Sequence, residues 1–310
     1  MTAEEAPLRL ERTLLVGTDD GLHVIGRGER HELAGSPVRA LAPDAASWWA
    51  LVGDGRVVRS EDGGAWREAG ELTEQRATCL LPTPSGLFVG TAGAHLFRLA
   101  ATGFDVVQSF EEVEGRAAWY TPWGGPPATR SLSHDGRKSL YVNVHVGGIP
   151  SSDDGGRSWR PTIDIHADAH EVLTPEPAPG LVLAATARGL AVSRDHGESW
   201  ELHTRGLHAT YLRAVAASGE TVYVTASEGP RGRHAALYRF ALDGDGSFER
   251  CRVGLPEWFP ENINTACVAA AGEIVAFGTS SGSVFISADH GGSFEPAATG
   301  LAPVRAVLIR

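Results

Sequence analysis

The tetrads VRAL at 38–41, LRAV at 212–215 and VRAV at 304–307 decide the fold of this chain of 310 residues. Their arginines lie 174 and 92 residues apart, close to four and two multiples of one period in the mid-forties. A repeat of that length in a β-rich chain is typical of a propeller, in which each repeat forms one blade. Because the third tetrad stops three residues before Arg310, we expect its strand to complete the N-terminal blade and close the ring.

A second pattern gives the number of blades. An apolar strand that ends in a small residue, followed by a turn with glycine, occurs seven times, at 14–21, 49–55, 87–93, 140–148, 181–189, 222–229 and 274–282. The segments before these strands align on one position, which is occupied by Arg39, Thr78, Arg130, Glu171, Arg213, Thr265 and Arg305. Two spacings of 52 residues among spacings of 39 to 42 predict insertions between blades 3 and 4 and between blades 6 and 7. The sequence therefore predicts an all-β, seven-bladed propeller as a single domain over 1–310.

Composition excludes several classes of partner. The net charge is −11 and the pI is about 5.5, whereas proteins that bind nucleic acid present a basic face, so we expect no nucleic acid partner. No apolar run reaches the length of a membrane span, and the first ten residues lack the apolar core of a secretory leader. The three cysteines, Cys79, Cys251 and Cys267, are scattered, which predicts buried free thiols and a cytoplasmic location.

Three segments share the pattern S-x-D-x-G-x-S-W/F, at 152–159, 193–200 and 287–294, and a shortened form lies at 60–66. The pattern resembles the Asp box of BNR-repeat propellers, a group that includes sialidases, related glycosidases and photosystem II assembly-factor-like proteins. We expect a structural role, in which the Asp accepts hydrogen bonds from turn amides, the Gly takes a positive φ and the ring packs on the blade. The F/Y-R-I-P signature of sialidases is absent, so sialidase activity is not carried over from the resemblance.

The unusual loops are predicted to lie on the face opposite the Asp boxes, because links between blades and turns between second and third strands share that face. They are 111–127, 145–148, 164–170, 206–211, 227–236 and 255–264. Long loops on a rigid scaffold commonly carry binding sites. The mouth of the central channel on this face is therefore the predicted site.

The first predicted constellation is His166-x-Asp168-x-His170, whose period of two places three side chains on one side of an extended segment. Imidazoles with a carboxylate are ligands for a divalent transition metal ion, the one cofactor that the sequence suggests. His145 and His208 lie on neighbouring loops and are candidates to complete the set. The alternative is that these histidines line the mouth and bind carboxylates without a metal.

The second constellation is the ring of arginines, Arg39, Arg130, Arg213 and Arg305, which predicts binding of a carboxylate or phosphate. The alternative is that each arginine pairs with a neighbouring acid. Further predicted ligand-binding residues are Trp123, Trp258 and Asn264, although the aromatic side chains could equally form small cores that fix the loops. The residues predicted to perform acid–base catalysis are His145, Asp168, His170, Glu171, His208 and Tyr211.

Two functions follow from these constellations. The first is a site for a small, anionic or sugar-like molecule, with hydrolase or lyase chemistry supplied by the histidines and acids. The second is a scaffold without catalytic activity that binds a protein partner with the same loops.

Overall fold

Seven antiparallel sheets follow one another along the chain, and each forms one blade. The computed structural model describes residues 12–26, 28–44, 47–61, 63–175 and 178–310. From the innermost strand outward, blade 1 consists of Val304–Ile309, Leu14–Thr18, Gly21–Ile25 and Arg30–Glu32. Blade 2 consists of Val38–Pro43, Ser47–Val52, Arg56–Glu61 and Arg67–Glu71. Blade 3 consists of Ala77–Thr83, Gly86–Thr91, Leu96–Ala100 and Gly103–Val106.

The remaining blades have the same plan. Blade 4 has three strands, Thr129–His134, Leu140–Val144 and Ser151–Ser152. Blade 5 consists of Ala169–Leu173, Val182–Thr186, Gly189–Ser193 and Glu201–His203. Blade 6 consists of Tyr211–Ser218, Thr221–Ser227, Ala236–Ala241 and Phe248–Arg250. Blade 7 consists of Val268–Ala271, Ile274–Gly278, Val284–Ser287 and Glu295–Ala298.

The ring is closed as the sequence predicts. The C-terminal strand Val304–Ile309 pairs with Leu14–Thr18, so both ends of the described chain contribute to blade 1. Each innermost strand contacts the innermost strand of the next blade, and that of blade 7 contacts that of blade 1. The all-β, seven-bladed propeller is therefore confirmed. Two parts of the predictions lie outside the described residues: residues 1–11 of the predicted domain 1–310, and Asp62 of the shortened box.

Close approach of neighbouring blades explains why several second strands carry glycine near their ends. A Cβ atom on Gly90 would lie 2.4 Å from Thr129 of blade 4, and one on Gly278 would lie 2.3 Å from Val304 of blade 1. Side-chain atoms do not approach so closely, so these positions require glycine if the blades are to pack. The apolar core lies between the blades, where adjoining sheets bury Val, Leu, Ala and aromatic side chains.

The links between blades contain a short α-helix, Gln108–Glu111, and two 3-10 turns, Arg116–Ala118 and Ile165–Ala167. No helix in the described ranges is long and apolar enough to cross a membrane. The first two lie in the predicted insertion between blades 3 and 4. The third interrupts the link between blades 4 and 5, and this turn decides which side chains reach the site.

The three complete segments that resemble the Asp box, called boxes below, have the expected local structure. In the first, Asp154 Oδ1 accepts hydrogen bonds from the Ser158 amide at 3.0 Å and from Ser152 Oγ at 2.8 Å. The box glycines have positive φ angles of 89° at Gly156, 87° at Gly197 and 79° at Gly291. The aromatic ring of the first box, Trp159, packs on the short helix that precedes blade 4: it contacts Phe110 edge to face, with the ring centroids 5.1 Å apart. The boxes therefore stabilise the outer hairpins and their neighbours.

Candidate functional site

The central opening of the ring is a cavity of about 430 Å³. It is lined by Arg39, Arg76, Ala77, Thr78, Arg130, Arg213, Asn264, Thr265, Cys267, Val304 and Arg305. Six of the seven positions aligned in the repeat thus meet at one opening. The lining contains five arginines and, among the described residues, no carboxylate. The lining of the channel is therefore strongly basic, although the net charge of the whole chain is negative.

A shared irregularity of the innermost strands positions these side chains. The pairing register shifts at Arg39, Thr78 and Arg130, and the closing strand shifts at Arg305. Such a bulge leaves one residue unpaired and changes the direction of its side chain. In blade 5 the shift falls on His170, not on Glu171. The repeat position that the sequence assigned to Glu171 therefore belongs to His170, one residue earlier.

Two of the predicted arginines already have acidic partners. Arg305 donates to Asp19 from Nε at 2.8 Å and from Nη2 at 2.5 Å. This paired contact lowers the pKa of Asp19, chiefly through the hydrogen bonds from Arg305. Arg39 donates to the Gly53 carbonyl at 2.7 Å and to Asp54 at 3.0 Å. These arginines shape the mouth with much of their charge compensated.

Arg130 and Arg213 have no such partners. Nη1 of Arg130 and Nε of Arg213 are buried without any hydrogen-bond partner, and no ion pair among the described residues includes either side chain. Arg213 Nη2 donates a hydrogen bond to the neutral Asn264 Oδ1 at 3.2 Å, and the guanidinium also interacts with the Tyr211 hydroxyl. Burial, followed by the positive charge of Arg213, lowers the pKa of Arg130 to about 10. The site thus holds two uncompensated cations close together.

A histidine and aspartate cluster lies beside this arginine pair, between blades 4 and 5. His145 Nε2 lies 3.1 Å from Asp168 Oδ1, and His170 Nε2 lies 3.6 Å from the same oxygen. Both imidazoles are buried, His145 with 2% and His170 with 0% of its surface exposed. Asp168 follows a 3-10 turn and has a left-handed backbone with φ 51° and ψ 65°. Both imidazoles and the nearby hydrogen bonds hold the pKa of Asp168 well below its usual range, against the opposing effect of burial.

Aromatic rings border the cluster. Trp123 stacks on His145 with centroids 4.9 Å apart, yet 67% of Trp123 is exposed. Tyr211 packs on His170 at 4.6 Å, and the Arg213 guanidinium lies 5.8 Å from the Tyr211 ring centre. Burial raises the pKa of Tyr211, so its hydroxyl is protonated and able to donate at neutral pH. Tyr211 therefore joins the histidine cluster to the arginine pair.

His166 lies outside this group of side chains. The segment that carries it is a 3-10 turn, not the extended strand on which the period-two prediction depended. The His166 ring is exposed and lies 6.4 Å from Tyr120. His145, which the sequence offered as an additional member, takes the predicted place of His166 beside Asp168 and His170.

His208 and Trp258 form a separate cluster on blade 6. His208 Nδ1 lies 2.8 Å from the Tyr238 hydroxyl and its ring lies 4.6 Å from that of Trp258. Arg250 packs over the Trp258 ring at 3.6 Å. His208 therefore lies outside the group formed by His145, Asp168 and His170, and Trp258 packs between His208 and Arg250.

Glu171 has both carboxylate oxygens engaged by backbone. Oε2 accepts from the Val215 amide of blade 6 and Oε1 accepts from the Ala266 amide beside blade 7, both at 2.9 Å. Burial raises the pKa of Glu171 to about 8, although both amide bonds favour the carboxylate. These contacts give Glu171 a role in joining three blades. The predicted catalytic role would require one of these bonds to break.

The sequence did not single out Arg76, Thr78 or Thr265 as site residues, although all three line the opening. The signal for the threonines was present, because both occupy the aligned repeat position. Thr265 Oγ1 lies 3.1 Å from the His170 carbonyl oxygen and 3.0 Å from the Arg213 carbonyl oxygen, and its single hydroxyl hydrogen is shared between these two acceptors.

Comparison with known proteins identifies the fold. No protein-family model matches the sequence, and no curated protein matches it. One similar solved structure is that of a nidogen/laminin complex, with 9% identity and a TM-score of 0.57, covering 96% of this chain and 98% of the other. Another is YCF48 bound to a D1 peptide, with 13% identity and a TM-score of 0.57, covering 96% and 87%. A third is the GH74 enzyme of Niastella koreensis, with 13% identity and a TM-score of 0.62, covering 91% of this chain and 46% of that one.

These similarities lie at identities where only the fold is shared. The structures include an enzyme as well as proteins solved with a protein or peptide partner. This chain spans less than half the length of the GH74 chain. The comparisons therefore establish a propeller and leave the function to be argued from its own residues.

Proposed function

We propose that the channel mouth binds a small anionic molecule between Arg130 and Arg213. The observation that carries the proposal is the pair of buried guanidinium nitrogens without partners, Arg130 Nη1 and Arg213 Nε. A buried polar group without a hydrogen bond costs free energy, and a second cation nearby adds repulsion. A carboxylate or phosphate that accepts from both arginines would remove both penalties at once.

The size and surroundings of the opening restrict the ligand. A volume of about 430 Å³ suits a metabolite of sugar or dicarboxylate size. Arg39 and Arg305 keep their acidic partners and would border the anion, while Asn264 and the aligned threonines offer neutral polar contacts. The ligand class that fits is a compact anion with further polar groups.

Acid–base chemistry on the bound anion is the reaction that the neighbouring groups would serve. His145, Asp168 and His170 lie next to the arginine pair, and the protonated Tyr211 hydroxyl lies between them. A proton donor and acceptors beside a bound anion are the components of hydrolase and lyase sites. We propose this class of chemistry for the site.

Titration calorimetry with inorganic phosphate, succinate and glucuronate tests the binding. We expect the wild type to bind at least one of these anions, and Arg130→Met or Arg213→Met to weaken that binding about 10- to 150-fold, the effect of losing one charged hydrogen bond. Arg157→Met is the matched control, because Arg157 is an exposed arginine in an Asp box on the opposite face. Wild type that binds none of the three anions, or arginine variants that bind as tightly as wild type, would overturn the proposal.

A protein or peptide partner is the second candidate, and two exposed rings favour it. Trp123 and Tyr120 expose 67% and 43% of their surface beside the mouth. Exposed aromatic side chains next to a pocket are typical anchors of protein interfaces. The Trp123→Ala variant separates the two functions, since it would abolish capture of a protein partner while leaving the calorimetric affinity for a small anion within about threefold.

A further inference from the structure

The cluster of His145, Asp168 and His170 has donor atoms that converge on one point. The ring nitrogens lie 3.1 and 3.6 Å from Asp168 Oδ1, and all three donor atoms lie within 4.8 Å of one another. Ligands bound about 2.1 Å from one ion lie about 3.0–3.4 Å apart, depending on the geometry. Two of the three separations between donor atoms are close to that range, and the third, between the two ring nitrogens, is at most 4.8 Å.

The hydrogen bonding of His170 fixes the direction of its lone pair. Nδ1 lies 2.5 Å from the Leu212 carbonyl oxygen, which can only accept, so Nδ1 carries the proton. In the neutral ring, Nε2 is then a bare lone pair. This nitrogen is fully buried, has no hydrogen-bond partner and is directed toward Asp168. A backbone carbonyl on one ring nitrogen is the arrangement that orients a metal-binding histidine.

The carboxylate oxygen Oδ1 of Asp168 is also a buried acceptor without a donor. Asp168 Oδ1 is buried and has no partner in hydrogen-bond geometry, although two ring nitrogens surround it. A lone pair and a carboxylate oxygen repel one another at this separation unless a cation lies between them. The cluster therefore places two buried acceptor atoms, His170 Nε2 and Asp168 Oδ1, 3.6 Å apart, with no cation between them.

The backbone on both sides of the cluster is held in unfavourable conformations. Asp168 has φ 51°, and Val146, the residue after His145, has φ 46°. Left-handed backbone is uncommon outside glycine and is especially unfavourable for a β-branched residue such as valine. Strain of this kind is commonly concentrated at functional sites.

We propose that His145 Nε2, Asp168 Oδ1 and His170 Nε2 bind one divalent first-row transition metal ion of the zinc class. Three protein ligands leave a position open, which is typical of a catalytic and not of a structural metal site. Trp123 stacks on His145, and Tyr211 packs on His170, so an aromatic ring lies against each of the two imidazoles. With the ion bound, the two Nε2 atoms and Asp168 Oδ1 are its ligands and no longer accept protons, so this site replaces their acid–base role. It does not alter the anion binding proposed above, because Arg130 and Arg213 hold an anion with or without the metal.

Metal binding is measured directly on the full chain. The protein is stripped with a chelator, dialysed, and equilibrated with one equivalent of Zn²⁺ or Co²⁺. Bound zinc is counted by mass spectrometry, and cobalt is followed by its visible absorption. We expect one equivalent per chain and a cobalt spectrum of low coordination number. Wild type that retains less than a tenth of an equivalent of either ion overturns the proposal.

Variants assign the ligands. Asp168→Asn keeps the shape of the side chain, and His145→Gln keeps a polar group; each should weaken metal binding at least about tenfold. His166→Ala is the matched control, since His166 lies on the same loop but outside the cluster, and it should bind metal as wild type does. If His166→Ala loses the metal and His145→Gln keeps it, the assignment is wrong.

One further variant separates this site from the anion site. Arg130→Met should lose the anion and keep one equivalent of metal. If the metal is lost in Arg130→Met while the fold is unchanged by circular dichroism, the two sites are not independent and the assignment to the three side chains fails.

Discussion

Arginines at one position of the repeat have two different roles in this molecule. Arg39 and Arg305 pair with Asp54 and Asp19, which belong to the turns beside them. Within the described ranges, neither Arg130 nor Arg213 forms an ion pair, and Arg130 is largely buried near the positive charge of Arg213 and the more distant carboxylate of Asp168. A repeated residue type is therefore structural in two blades and available for binding in two others.

This difference predicts the stability of an arginine variant. We expect Arg130→Met to raise the free energy of unfolding of the ligand-free protein by about 1 kcal/mol, because it removes a partly desolvated charge that is repelled by Arg213. Urea denaturation measures the change. Arg39→Met, which breaks a largely exposed ion pair, should lower the stability by no more than about 1 kcal/mol. A loss of stability in Arg130→Met would contradict the account of an uncompensated cation.

The elements show what could be predicted from the sequence and what could not. The seven blades and the box turns follow from repeated local patterns, which the sequence records directly. The membership of the histidine and aspartate cluster could not be predicted, because it depends on the 3-10 turn Ile165–Ala167. His166 lies in this turn and outside the cluster, and the second histidine of the cluster is His145, 21 positions earlier. The bulge in blade 5 likewise moves His170, not Glu171, into the aligned position. Both are departures of a single residue from regular structure, and periodicity cannot reveal them.

The box turns predict how stability depends on pH. Hydrogen bonds from Ser287 and Ser293 lower the pKa of Asp289 to about 2, below its value of about 3.9 in an unfolded chain. A carboxyl with a depressed folded pKa contributes stability above about pH 4, and the contribution is lost as the pH falls toward 2.

The Asp289→Asn variant tests this dependence. Urea midpoints at pH 5, 4 and 3 should show a difference between wild type and variant that shrinks as the pH falls. Asp243→Asn, at an exposed aspartate outside the three complete boxes, should show no such trend. A difference that is constant over this range would mean that the Asp289 contacts do not depend on its charge.

At the scale of the whole molecule, closure of the ring brings the site together. The arginine pair comes from blades 4 and 6, the cluster from blades 4 and 5, and the lining of the opening includes Val304 and Arg305 of the closing strand. No single repeat contains all of these residues, and the opening is lined on every side only when blade 7 packs against the blade completed by the C-terminal strand.

Gly278 lies at that last junction and provides a test of closure. A Cβ atom there would lie 2.3 Å from Val304, so Gly278→Ala should separate the strands and cost about 1–3 kcal/mol of unfolding free energy. Gly28→Ala is the control, because nothing lies within 4 Å of a Cβ at that position and the change should stay within about 0.5 kcal/mol. Equal stability of the two variants would show that the blades do not approach as closely as described.

The central claim is that the closed ring presents an anion site between Arg130 and Arg213, and a selenate soak tests it most directly. A crystal of the protein soaked in selenate and measured at the selenium absorption edge should show an anomalous peak within hydrogen-bond distance of both guanidinium groups. The peak should be missing from Arg130→Met crystals treated in the same way. Selenate bound only on the Asp-box face, for example at Arg157, with none between the two arginines, would contradict the account.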